Sequence, residues 1–340
     1  MKGDFIKSCF RSYSAGSSRV DEYSWKENYY TTNIYSDYFK QFDNGHYFKV
    51  MAGFNAELYK NRSIEAIKNN LISPDVPTID TATDDPQAYG GYNHTSVAGF
   101  FARINWSYKD RYMFEANGRY DGSSRFVGDE RWGFFPSFSL GWNAHEEEFL
   151  KDKTPFEQLK VRMGWGQVGN EASAAQFGYI SLMNSSYRAV IGDQLQQGEI
   201  QRTFANSELA WETAEQVNFG IDFGTLNMRL TGTIDYFVRT TKDMILRTPI
   251  PLYVGMGRAN TNAGSMRNKG LEVTLRWNDK IGKDFSYSIS ANASFVKNKV
   301  LSLGSPDPIY GGGVARKAEN FTRTEVGREM AYFYGYKTDG

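Results

Sequence analysis

Apolar and polar side chains alternate with a period of two along most of the chain. Tyr112, Phe114, Ala116, Gly118 and Tyr120 fall on one face, opposite Met113, Glu115, Asn117 and Arg119. Met228, Leu230, Gly232, Ile234, Tyr236 and Val238 repeat the pattern against Arg229, Thr231, Thr233, Asp235, Phe237 and Arg239. Such alternation describes strands with one apolar and one polar face. It predicts about eleven strands, at 6–15, 26–40, 46–60, 95–108, 111–122, 132–143, 157–168, 211–224, 227–240, 268–279 and 284–298. Helix is expected only over "RSIEAIKNN" (62–70), with a turn at "EEEFLK" (146–151).

The connections alternate as well. Short ones at 41–45, 108–110, 224–227 and 280–283, and a modest one at 144–156, interleave with long ones at 16–25, 61–94, 122–131, 169–210, 241–267 and beyond 299. An up-and-down antiparallel sheet has this form when its two rims face different environments. Outer-membrane barrels pair short periplasmic turns with long extracellular loops. Aromatic residues cluster toward both rims: Trp106, Tyr108, Tyr112, Trp142, Trp277 and Phe285 at the short-turn end, Tyr120, Trp132, Phe134, Trp165 and Trp211 at the other. Two aromatic girdles are expected of a membrane barrel, whereas a soluble sandwich concentrates its rings in mid-strand. The fold class is therefore all-β, an antiparallel up-and-down transmembrane β-barrel, present in part.

Composition supports this reading. Aromatics make up 16% of the 340 residues, glycine numbers 33 and proline only 9. The 39 basic and 39 acidic side chains cancel, which removes a whole-chain electrostatic case for nucleic acid. Cys9 is the single cysteine, so no intrachain disulfide and no Cys-x-x-Cys site exists. No stretch is apolar for the 18 or so residues of a spanning helix.

Gly164, Gly166 and Gly169 spell the G-x-G-x-x-G of a dinucleotide-binding turn. The strand leading into them alternates Leu159, Val161, Met163 and Trp165 with Lys160, Arg162 and Gly164. A first strand of a nucleotide-binding fold is buried on both faces and apolar throughout, so the glycines are read as part of a barrel strand. His46, His94 and His145 lack metal-ligand spacing, no nucleophile elbow is present, and "DTATDDPQ" (80–87) lacks the full pattern of a calcium loop. The Asn-x-Ser/Thr matches at Asn105 and Asn292 fall inside expected strands. No catalytic residue, cofactor or metal is assigned.

Six segments carry a family resemblance: "RYDGSSRFVGDERWGFFPSFSLGWNAHEEEFL" (119–150), "LKVRMGWGQVGNE" (159–171), "WETAEQVNFGIDFG" (211–224), "DYFVRTTKDMIL" (235–246), "NAGSMRNKGLEVTL" (262–275) and "TRTEVGREMAYFYGYKTDG" (322–340). In this order they resemble the barrel of SusC/RagA-type TonB-dependent outer-membrane transporters of Bacteroidetes. The motif residues are Asp121, Gly122, Ser123, Ser124, Arg125 and Phe126, then Gly169, Asn170 and Glu171, then Asn268, Lys269 and Gly270. Val127 adds one residue to the usual spacing before Gly128, a shift that an external loop tolerates. Residues 1–94 fit the barrel by pattern alone.

The resemblance implies a plugged barrel that imports oligosaccharides or peptides, draws energy from TonB–ExbB–ExbD, contacts outer-membrane lipid and is capped by a SusD-like lipoprotein. It also implies that residues 1–340 form an interior part of one barrel domain, with signal peptide, TonB box, plug and closing strands outside the chain. Such a piece, with about half of the roughly 22 strands of these barrels, would expose two sheet edges and aggregate in isolation. A siderophore or cobalamin receptor is the alternative within transport. A secreted β-rich adhesin or glycan-binding module is the alternative outside it. Loops 61–94, 169–210 and 241–267 are the expected ligand and lid surface, with Tyr179, Tyr187 and Tyr253 placed there by position only.

Overall fold

The computed structural model describes residues 3–15, 17–73, 75–151, 153–201, 203–248, 250, 252–312 and 320–335. Eleven strands form one sheet with every neighbour adjacent in sequence, apart from the step across an inserted hairpin. They are β1 (Gly3–Ala15), β2 (Ser17–Gln41), β3 (His46–Asn69), β4 (Gln87–Tyr108), β5 (Tyr112–Ser123), β6 (Trp132–Asn143), β7 (Phe156–Asn170), β10 (Glu212–Thr225), β11 (Leu230–Thr248), β12 (Ala259–Ile281) and β13 (Phe285–Leu303). Between β7 and β10, β8 (Met183–Ile191) and β9 (Gln194–Gln201) form a separate hairpin. After β13, three short strands pair as a small sheet: β14 (Ile309–Gly311), β15 (Thr322–Thr324) and β16 (Tyr332–Phe333).

By compactness the chain divides into two units. One comprises Met1–Ile34, Phe54–Gly99 and Gly122–Ser124, and the other Tyr35–Gly53, Phe100–Asp121 and Arg125–Gly340.

The eleven strands of the large sheet and their order follow the expectation; the corrections concern strand ends and the five further strands, β8–β9 and β14–β16, that lie in the expected connections. Residues 62–69 are strand, not helix. Propensity there is overridden by the ladder, which carries on until the Asn70 and Leu71 amides bond to the carbonyl and hydroxyl oxygens of Ser18, at 2.7 and 2.8 Å. Within the long connection expected at 16–25, residues 17–25 are strand, and Ala15 pairs with Ser17. The long connections shrink to 70–86, 124–131, 171–211 and 249–258 as strands extend into them. Strands β2, β3, β4 and β12 run 25, 24, 22 and 23 residues. At about 3.3 Å per residue each far exceeds the roughly 9–11 residues that cross a bilayer, so each projects well beyond it. The short-turn rim is tight: Lys109 and Asp110 both take positive φ, 51° and 55°, as a two-residue hairpin turn requires.

Register shows that the alternation is a true division of faces in the larger unit. Leu140, Met163, Phe219, Tyr236, Leu271 and Phe295 stand opposite one another in one row across six strands. The row Gly141, Arg162, Gly220, Asp235, Glu272 and Ser294 lies on the opposite face. On that polar face Arg162 bonds Asp222 through two nitrogens, at 2.8 and 2.7 Å, and reaches Asp235 at 3.0 Å. Gly220 sits between Arg162 and Asp235 in register, and a Cβ there would fall 2.8 Å from the guanidinium carbon. The missing side chain is what lets one arginine bridge two neighbouring strands.

Candidate functional site

Residues of two of the three motifs, Arg125 and Phe126 of the first and Gly169 to Glu171 of the second, meet at the long-loop end of the larger unit. Phe126 is fully buried in a cluster with Ala174 and Leu209, flanked by Trp211 and Ile245. The Trp211 ring lies 5.3 Å from that of Phe126 and 5.4 Å from that of Phe135. Beside the cluster, Arg125 Nη1 donates to the Ala174 carbonyl, and Arg125 Nε stands 3.8 Å from Glu171. Arg125 of the first motif is thereby tied to Glu171 of the second by an ion pair, beside the apolar cluster that holds Phe126.

Glu212 completes the junction. Its carboxylate, 5% exposed, accepts Asn170 Nδ2 at 2.6 Å, Ser173 Oγ at 3.0 Å and the Ile245 backbone N–H at 2.7 Å. Asn262 works in the same way from β12: its Oδ1 accepts the Ala210 N–H, and its Nδ2 donates to the carbonyls of Ala210 and Asp243, all at 2.8–2.9 Å. Each side chain satisfies backbone groups where the ladder opens into loops, which is where orphaned amides would otherwise cost most. Gly169 belongs here for steric reasons, since a Cβ would overlap the Phe135 ring.

The remaining motif residues lie elsewhere. Arg119 holds Asp121 with two hydrogen bonds, at 3.1 and 2.9 Å. Ser123 is buried, and Ser124 exchanges bonds with the Ser96 backbone at 2.9 and 3.0 Å in the smaller unit; Gly122 belongs to that unit as well. Asn268, Lys269 and Gly270 sit in mid-β12, and Gly270 makes room for the Phe237 ring. Glu212, Asn262, Ala174, Leu209 and Phe135 are not singled out by motif, although Asn262 opens one of the matching segments and Glu212 is second in another. Their N-terminal position at a strand's loop end was the available signal.

The aromatic residues divide. At the short-turn rim Trp106 Nε1 donates to His46 Nδ1 at 3.1 Å, and Tyr108 stacks on the same imidazole at 4.5 Å. Tyr112 and Trp142 both donate to Glu147, at 2.5 and 3.1 Å, and Trp277 Nε1 lies 3.4 Å from the Tyr287 hydroxyl. Toward the other rim Trp132 stacks on Tyr120 at 5.0 Å and Trp165 on Phe138 at 5.9 Å. Trp211 stands apart from these, because the cluster with Phe126 holds it and its Nε1 donates to the Arg131 carbonyl.

Glu147, in the turn between β6 and β7, is held below the ordinary carboxylate range by the Tyr112 hydroxyl first, then by the Trp142 N–H and the Arg111 charge. A depressed folded-state pKa stabilises above the unfolded value, and the contribution is lost as pH falls through the folded one. The stability difference between the parent protein and Glu147→Gln is therefore expected to be constant at neutral pH and to shrink below about pH 4. Urea titrations at a series of pH values measure it, and a difference independent of pH would contradict the assignment.

On the polar face a concavity of about 800 Å³ is lined by Arg103, Glu115, Arg119, Asp121, Gln216 and Arg239 among others. Among the described residues no group of His, Cys, Asp and Glu is placed to hold a metal ion. Gly164, Gly166 and Gly169 lie within β7, and Gly166 pairs with Ser137 and Gln216 as an ordinary sheet residue.

Residues 5–323 match the family model described as TonB dependent receptor-like, beta-barrel. The chain is 32% identical over 330 residues to TonB-dependent receptor SusC of Bacteroides thetaiotaomicron, covering 96% of this chain and 32% of that protein. It is 30% identical over 321 residues to TonB-dependent receptor P3 of Formosa agariphila, covering 91% and 32%. Among solved structures, the RagAB peptide transporter superposes with a TM-score of 0.80 at 22% identity, covering 93% of this chain and 34% of that one, a likeness of fold. The chain spans about a third of the length of the curated relatives it matches.

Proposed function

We propose, on the premise that this chain belongs to the TonB-dependent receptor β-barrel family, is of the SusC type and lies in the outer membrane, that it forms part of the barrel of an importer for oligosaccharides or peptides. The observation that carries the proposal is the 32% identity with SusC across 96% of the chain. In this reading the residues are the barrel portion of one domain. The apolar rows contact lipid, and Trp106, Tyr108, Tyr112, Trp142 and Trp277 mark one interface while Trp132 and Trp165 mark the other.

The polar face, with its Arg162–Asp222–Asp235 network, would receive the plug. The connections 70–86, 171–211 and 249–258 would form the ligand and lid surface beneath a SusD-like lipoprotein. Energy would come from TonB–ExbB–ExbD. The junction of Arg125, Phe126, Glu171 and Glu212 supports this arrangement physically, because it gives long, variable loops a rigid base from which to present contacts.

Deletion of the gene in its host, followed by growth on single oligosaccharides or peptides as carbon source, tests the proposal. Growth should fail on one class of oligomer and persist on its monomer. Failure confined to iron- or cobalamin-limited medium would assign the receptor to the siderophore or cobalamin class instead, and unimpaired growth on every source would overturn the importer reading.

A further inference from the structure

Positive charge is concentrated on the apolar face at one level of β12 and β13. Lys269 stands directly opposite Lys297, and Arg267 directly opposite Lys299, in adjacent rows. Like charges in opposing positions destabilise a strand pair, so two such pairs in succession call for a compensating anion. Among the described residues none is supplied by an ion pair to Lys269, Lys297 or Lys299, all three exposed. Arg267 Nε donates to Thr240 Oγ1, a neutral partner. Glu215, in the same row as Arg267, is taken by Lys242 at 2.5 Å.

The same side chains line a cavity of about 780 Å³ with Arg328 and Glu329. Its far wall is the segment 327–328, whose backbone bonds Val300 at 2.8 and 2.9 Å, and Glu325 holds Arg328 at 3.0 Å. Glu329 is the one carboxylate lining the cavity.

The position on the strand identifies the anion. The lysines continue the row of Phe138, Trp165, Val217 and Val238, so they share the face of the apolar rows. On β12 that face runs Trp277, Leu275, Val273, Leu271 and then Lys269, about 27 Å along the strand at roughly 3.4 Å per residue, or about 21 Å of height at the roughly 40° tilt of such strands. An apolar band in outer-membrane barrels is about 25 Å tall. With Trp277 at the lower girdle, Lys269 and Lys297 stand just under the upper edge of the band on the long-loop side, from which a lysine side chain reaches the outer-leaflet headgroups.

We propose that Arg267, Lys269, Lys297 and Lys299 bind the phosphate groups of an anionic outer-leaflet lipid. The proposal rests on the outer-membrane placement of the strands and not on what is imported. Lysine and arginine on two neighbouring strands offer several donors to one phosphorylated headgroup, and the lipid's chains would lie along Leu271 and Phe295 below.

The test uses the full receptor that carries this chain, in nanodiscs of zwitterionic lipid doped with bisphosphorylated lipid A or with its dephosphorylated form, and native mass spectrometry of the lipid retained. The parent should retain the bisphosphorylated lipid selectively. The triple variant Lys269→Gln, Lys297→Gln, Lys299→Gln should lose about a hundredfold in retention, and Lys297→Gln alone about fivefold. The triple Lys→Arg variant should retain it, which separates charge from fold. Equal retention of the dephosphorylated lipid, or undiminished retention by folded Gln variants, would overturn the proposal. Displacement of the lipid by equimolar inorganic phosphate would assign the site to a free anion and overturn the lipid assignment.

Discussion

Phe126→Ala is expected to destabilise the loop-side end of the barrel by about 3–5 kcal/mol. The ring is fully buried, and its removal leaves Ala174, Leu209, Trp211 and Ile245 around a void that small neighbours such as Ala174 cannot fill. Phe126→Leu keeps most of the volume and should cost well under half as much. Equilibrium urea unfolding of the refolded receptor measures both. The loss should be accompanied by faster proteolysis within 171–211, because the cluster anchors both ends of that segment through Ala174 and Leu209. A destabilisation below about 1 kcal/mol would show that the cluster is open to water, since burial is what makes the cavity costly.

Glu212→Ala ranks next, at about 3 kcal/mol. The substitution removes an acceptor shared by Asn170, Ser173 and the Ile245 amide, and it strands that amide beside a buried site. Glu212→Gln retains one acceptor oxygen but places an NH2 group against donors, so it should fall between the parent and the alanine variant. A double-mutant cycle with Asn170→Ala isolates the pair, and a coupling of about 0.5–3 kcal/mol is expected. Strict additivity of the two substitutions would mean that the 2.6 Å contact carries no energy of its own. Since β7, β10 and β11 are all tied by this one carboxylate, its loss should also loosen the loops that the import proposal assigns to ligand contact.

Particular elements show how far the chain could be read directly. The β11 alternation from Leu230 to Arg239 survives intact in the register with β10 and β12, because a sheet with one wet and one greasy face punishes any slip by a residue. The β8–β9 hairpin was missed, although Gly192 and Asp193 both take positive φ, 57° each, and Gly-Asp between two short strands is a hairpin signal. Its strands are short and exposed, and their apolar residues, such as Met183, Val190, Ile191 and Leu195, do not alternate regularly enough to advertise them. The stretch 62–70 reads as helix in sequence because Ile, Glu, Ala and Lys favour one locally, while the bonds that hold the end of the strand, from Asn70 and Leu71, go to Ser18 more than fifty positions away.

The sequence by itself determined the eleven strands of the large sheet, their up-and-down order and, in β6, β7 and β10–β13, which face is apolar, for a physical reason: side-chain direction in a strand is fixed by parity, and the sheet's topology by the alternation of short and long connections. The family followed from motifs that a linear reading can see. Tertiary structure alone decided what those motifs do. Arg125 meets Glu171, Glu212 caps Ile245 and Lys269 opposes Lys297 only in the one register that the assembled sheet adopts. Contacts across strands depend on the summed alignment of every intervening turn, and no local pattern encodes that sum.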